Sequence, residues 1–258
     1  MDGMVTHLVA ALLVALRLAP ALAYGGPFTL LRIPVPVRVL LGLSLALWLV
    51  TARPDATIAA VKAGHALPGL AAGELFVGMA VALCLQLAFA AILWAGRAID
   101  IQAGFGLGTV ADPVTQTEMP LAGTVFAYAA AAVFFTMGGM HDLLALWAAS
   151  FDALPLGHGI LAGDMQALMV LVGTLFAMGL GLFGVIMLVL FLLDLTIAFL
   201  SRTLPQMNVM MLGFQVKAMA TLVMLPVALA LSGGLFLRLL RFALESAPGL
   251  IGQAGFPG

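Results

Sequence analysis

Charge is what this chain has least of. Lys, Arg, Asp and Glu together make up 8% of its 258 residues, against about one-quarter in an ordinary water-soluble domain. Apolar residues reach 64%, and the mean hydropathy is +1.21. So few charges cannot give a globule a wettable surface all round. A water-soluble globule is therefore excluded, and the chain expects lipid or other apolar protein around it. The net charge of −1 leaves no clustered basic face, which argues against a nucleic-acid partner. Cysteine occurs once, at Cys84 within an apolar run. One thiol permits neither an internal disulfide nor a cysteine-based metal site, and it reads as a small buried hydrophobe.

Signs of catalysis are equally scarce. His7, His65, His141 and His158 are scattered, with none at metal-ligand spacing. No G-x-S-x-G elbow and no P-loop occur. Gly104-x-Gly106-x-Gly108 lacks the dinucleotide spacing and follows no strand pattern. The expectation is no enzyme, with no catalytic residue, cofactor or metal.

What is present is long apolar runs. A membrane helix takes about 20 apolar residues to cross roughly 30 Å of hydrocarbon. Met4–Tyr24, Val35–Thr51, Leu75–Ala95, Pro120–Met137, Met165–Leu193 and Val209–Leu237 qualify or nearly so. Leu, Ala and Met dominate them and no in–out alternation appears, so the chain is expected to be all-α and polytopic. With no basic n-region and Arg17 interrupting the first run, that run reads as a retained helix, not a removed signal. Gly25-Gly26-Pro27 with Pro34-Val35-Pro36, Arg53–Pro68, Gly104–Pro120, Gly138–Asp164 and Ser201–Asn208 read as connectors. The fourth holds a short apolar piece, Leu143–Leu154, re-entrant or interfacial by its length.

Two runs depart from a plain bundle. Met165–Leu200 would extend about 54 Å as helix, well beyond one bilayer. The last run is interrupted at Pro226 and Gly233-Gly234. Both patterns suggest kinked elements and helical hairpins packed against protein, since exposed kinks in lipid leave backbone groups unsatisfied. Gly173, Ala177 and Gly181 share one helix face and would allow close helix approach, although glycine and alanine are frequent in such segments anyway. Between Arg97 and Arg202 no Lys or Arg occurs, which puts the connector around Asp142–Asp164 on the non-cytoplasmic side.

Ionisable groups inside apolar runs are costly and functional by default. Here they are Arg17, Glu74, Arg97, Asp100, Asp194, Arg202 and Lys217. Arg97 and Asp100, at i,i+3, read as a structural pair. Asp194 needs a partner, and Arg202, Lys217 or a neighbouring subunit are the options. An ion-coupled permease would use Asp194 and Glu74 as ion sites, but it predicts an inverted repeat, and no such symmetry is visible. The connector Gly104-Phe105-Gly106-Leu107-Gly108-Thr109-Val110-Ala111-Asp112-Pro113 is flexible and tipped with apolar groups. Such a loop can occlude a pore by excluding water, or pack back as an ordinary connection.

Ser201-Arg202-Thr203-Leu204-Pro205-Gln206-Met207-Asn208-Val209, followed by Gly213-Phe214-Gln215-Val216-Lys217, resembles the signature of the FliR/SctT family of type III secretion export-gate subunits. Arg17, the Pro27…Pro34-Val35-Pro36-Val37-Arg38 connector, Glu74, Val110-Ala111-Asp112-Pro113 and Phe134-Phe135…Gly138-Gly139-Met140-His141 are similar too. The resemblance covers Arg17 to Arg241, and the Pro-Gln-Met-Asn and Gly-Phe elements favour the flagellar branch over the virulence branch.

That resemblance implies one export-gate chain over residues 1–258, with a FliP-like part at 1–160 and a FliQ-like part at 161–258. It implies a hetero-oligomeric helical pore assembly with FliP and FliQ, FlhB nearby, in the bacterial inner membrane at the flagellar basal body. Unfolded export substrates would thread the pore, with lipid outside it. Phe105, Gly106, Leu107, Gly108, Val110, Asp112 and Pro113 would form its plug loop. Met207, Met210 and Met211 would line it, methionine being compliant, unless they are plain core. Arg202, Gln206, Asn208 and Lys217 would be polar contacts at the adjoining turn.

Overall fold

Eleven helices and one minimal strand pair account for the computed structural model, which describes residues 2–30, 32–63, 66–105, 110–111, 118–157, 165–203 and 209–251. In chain order these are α1 (Asp2–Tyr24), α2 (Gly26–Leu30), α3 (Val35–Ala52), α4 (Pro54–Lys62) and α5 (Leu67–Ala103). Then come β1 (Val110–Ala111), β2 (Glu118–Met119), α6 (Leu121–Thr136), α7 (Gly139–Ala153) and α8 (Met165–Thr203). α9 (Val209–Leu231), α10 (Gly233–Glu245) and α11 (Ala247–Ile251) complete the chain. By length and composition α1, α3, α5, α8 and α9 can each cross a membrane, and α6 with α7 makes a sixth candidate. The protein is an all-α polytopic membrane protein, and among the described residues strand is confined to β1 and β2, two residues each within the 104–120 connector.

The elements depart from the sequence pattern in four places. Arg53–Pro68 is not a bare connector but holds α4, which opens on Pro54, carries Asp55 in its first turn and ends on Lys62. Proline at a first helical position begins a helix at no hydrogen-bond cost, and the two charges match the helix dipole. The third apolar run is a 37-residue helix that begins ahead of Glu74, so Glu74 lies inside it. Pro226 does not end α9; the break falls at Ser232, ahead of Gly233. Gly173 and Gly181 face open space within the chain, whereas Gly179 lies against the Ala91 carbonyl.

The chain forms two compact units. The first comprises 1–87, 134–173 and 240–258. In it α1 packs along α3 and α4. Its buried side chains include Leu13, Val14 and Leu18 of α1, Leu49 of α3, Val81 of α5, and Trp147 and Phe151 of α7. Phe28 meets Phe134 and Phe135 edge-on, with centroids 6.4 and 5.7 Å away, a favoured aromatic geometry.

The second unit comprises 88–133 and 174–239. Gly96 of α5 and Gly123 of α6 bring the two backbones so close that a Cβ on Gly96 would fall on Gly123. Small residues permit this approach, as in membrane helix packing generally. Asp100, one turn further along α5, accepts the Ala122 N–H at 3.1 Å and so satisfies an orphan donor at the start of α6. Phe126 lies tilted against Phe183 with centroids 4.4 Å apart and 5.9 Å from Phe236, and Trp94 lies 5.4 Å from Phe176.

Candidate functional site

Two polar constellations are built into the apolar helices, one in each unit. In the first, Gly78 lets α5 close on α1: a Cβ there would strike the Arg17 carbonyl. Glu74 lies one turn back on α5, facing Arg17. The Arg17 Nε donates to Glu74 Oε2 at 2.5 Å, and both side chains are buried. Arg17 Nη1 donates to the Ser150 carbonyl at 3.1 Å and to Ser150 Oγ at 3.2 Å. Nη2 donates to the Leu154 carbonyl at 3.0 Å. The guanidinium carbon sits 4.0 Å above the Phe151 ring, a cation–π distance.

Arg17 therefore does the work of a helix cap. The carbonyls it meets lie at the end of α7, where that of Ser150 also accepts the Leu154 N–H at 2.9 Å, and a cation there meets the negative end of the helix dipole. A second arginine joins it: Arg53 donates to the Ala148 carbonyl at 3.1 Å and pairs with Asp152. The other Glu74 oxygen accepts the Gly157 N–H at 3.3 Å, while Leu156 N–H reaches the Ala56 carbonyl at 3.0 Å. Arg17 and Glu74 thus tie α1, α5, the end of α7 and the segment after it into one buried knot. With both oxygens engaged and no exposure, Glu74 has the surroundings of a structural anion, not of a site that exchanges ions with water.

In the second unit Lys217 of α9 pairs with Asp194 of α8. Of the two cations in reach by sequence, Lys217 is the partner seen, and Arg202 is exposed at the end of α8. Ile197 lies against Gly213, so α8 and α9 run antiparallel as a hairpin. Asp194 keeps 42% of its side chain exposed and Lys217 17%. One turn from Lys217 along α9, Phe214 meets Gly104, the residue after α5, whose φ is +87°. A side chain would be strained in that conformation, and a Cβ would also fall 2.5 Å from Phe214 Cδ1. The start of the 104–120 connector therefore rests on the Gly213-Phe214 element of α9.

Phe105 at that start is half-buried, Arg97 is exposed on α5, and Met211 is 62% exposed on α9. Val110 and Met210 lie in β1 and α9 respectively. Gly106, Leu107, Gly108, Asp112, Pro113, Gln206, Met207 and Asn208 lie outside the described residues, as do His65 and His158. Sequence reasoning missed Arg53, Ser150, Phe151, Leu154 and Gly157. The last four lie far along the chain from Arg17 and Glu74 and act through main-chain atoms, a hydroxyl or a ring, and no spacing signals them.

Residues 8–243 match a protein family described as bacterial export proteins, family 1. The chain belongs to that family. It is 31% identical over 182 residues to the flagellar biosynthetic protein FliR of Escherichia coli K12, covering 70% of this chain and 69% of that protein. Bacillus subtilis FliR is 26% identical over 191 residues, 72% of this chain and 73% of the relative. The secretion system apparatus protein SsaT of Salmonella typhimurium is 28% identical over 160 residues, 61% of each. Family membership thus spans both constellations, since Arg17, Glu74, Asp194 and Lys217 all fall within the matched residues.

Proposed function

We infer that this chain is an export-gate subunit of a type III secretion system. The observation that carries the reading is the family match over residues 8–243, supported by relatives named for flagellar biosynthesis and for a secretion apparatus. We propose the flagellar branch, with the subunit in the inner membrane at the basal body and FliP, FliQ and FlhB homologues as neighbours. In this account the FliP-like part is 1–160 and the FliQ-like part 161–258. The chain has no catalytic role; it helps to shape a conduit for unfolded proteins.

Exposed surface supports burial against sister subunits. α9 presents Met211, Met219, Leu222, Val223 and Leu231, each more than half exposed. Lipid alone would cover them as well as protein. The half-exposed Asp194, paired with Lys217 on one side only, favours protein, because a carboxylate at membrane depth is expensive unless protein or water lies beside it. Deleting the chain from its host should abolish secretion of type III substrates, and the chain supplied in trans should restore it. Undiminished secretion in the deletion strain would contradict the reading.

The loop 105–113 closes the pore at rest in this account, seated on Phe214 at its base. Replacing both Leu107 and Val110 by Gly removes the apolar groups that exclude water. Resting ion conductance through the assembled gate should then rise, as read in planar bilayers. A conductance equal to the parent's would remove the plug assignment.

A further inference from the structure

Along α1 and α3 runs a cavity of about 360 Å³. Ala15 and Ala19 line it from α1, Val39 and Gly42 from α3. Among the described residues its only polar side chains are Tyr24 and Arg38, and no carboxylate lines it. Both lie at the same end, where α1 finishes and α3 begins. Arg38 Nη1 donates to the Ala23 carbonyl at 2.6 Å, but its Nε–H is buried and has no acceptor. A buried donor without a partner is rare in folded proteins and asks for one that is missing.

The dimensions restrict the occupant. Ala15 to Tyr24 spans about 13 Å of helix, and along that length the lining is apolar up to Tyr24 and Arg38. An extended hydrocarbon chain matches such a lining. The cation fixes the sign of the head, and a phenol beside it is typical of the membrane–water interface. Both helices have the length and composition of membrane spans, so lipid is at hand.

We propose that the α1–α3 groove binds an anionic phospholipid, with its phosphate paired to the Arg38 guanidinium and one acyl chain lying along Ala15, Ala19 and Gly42. Charge-assisted hydrogen bonds are the strong ones, so the head should discriminate. The test is native mass spectrometry of the full chain, with whatever subunits co-purify, after adding phosphatidylglycerol or phosphatidylcholine of equal chain length. The parent should retain one phosphatidylglycerol at least about tenfold better than phosphatidylcholine. Arg38→Gln should lower phosphatidylglycerol to the phosphatidylcholine level. Ala19→Leu, at an exposed position, should keep the fold and lose both lipids. Excess inorganic phosphate should displace neither. Equal retention of the two lipids by the parent, full retention by the folded Arg38→Gln protein, or displacement by free phosphate would each overturn the proposal.

Discussion

Arg17→Met should remove most of the folded protein from the membrane. The substitution keeps an unbranched apolar stem of similar shape but deletes every donor. Glu74 is then a buried charge without its cation, and the Ser150 and Leu154 carbonyls at the end of α7 lose the guanidinium. Breaking a buried pair from one side costs about 3–5 kcal/mol, a large share of the 5–15 kcal/mol typical of a domain. The apparent Tm in detergent should fall by roughly 6–20 °C, since for chains of this size 1 kcal/mol is worth about 2–4 °C. Glu74→Gln should do less harm, because an amide still accepts from Arg17 while leaving the guanidinium uncompensated. Normal membrane levels and unchanged Tm for Arg17→Met would show that the knot contributes little.

Gly96→Leu should be as severe for a different reason. A Cβ at Gly96 would coincide with the Gly123 backbone, so no rotamer relieves the clash and α5 must part from α6. Overpacking a well-fitted interior costs about 1–3 kcal/mol even where side chains can yield, and here the obstacle is main chain. Separation would also pull Asp100 away from the Ala122 N–H. Gly173→Ala is the matched control: nothing lies within 4 Å of that position, and alanine favours helix by about 1 kcal/mol. Detergent Tm should drop for the first variant and hold or rise for the second. Equal behaviour of the two would discard the close α5–α6 contact.

These contrasts show what sequence pattern does and does not carry. The apolar runs of α1, α3 and α8 were legible because each is bounded by a charge, a proline or a glycine pair and is long enough to be unambiguous. α4 was not, because Arg53-Pro54 looks like an interruption when proline is read as a breaker instead of a first-turn residue. The early start of α5 was hidden by Glu74, a charge that ends an apolar run on paper but is neutralised by Arg17 in the fold. Pro226 misled in the opposite sense, since α9 continues through it.

The site was legible in part. Arg17, Glu74, Asp194 and Lys217 stood out as ionisable groups in apolar surroundings, a signal that needs no tertiary information. Their pairing did need it: Glu74 lies far along the chain from Arg17, Leu154 acts through a main-chain carbonyl that every residue owns, and Ser150 through its carbonyl and its hydroxyl together. Likewise Gly104 could be marked as a flexible point, but only the fold shows Phe214 lying against it.

The central claim concerns assembly, and one measurement addresses it directly. The chain should be co-expressed with FliP and FliQ homologues, purified through a tag on this chain alone, and imaged as single particles. The account predicts a hetero-oligomeric ring around a central channel that contains this subunit, with α9 and the half-exposed Asp194 covered by neighbouring protein. A stable particle composed of this chain alone, with α9 facing only detergent, would contradict it.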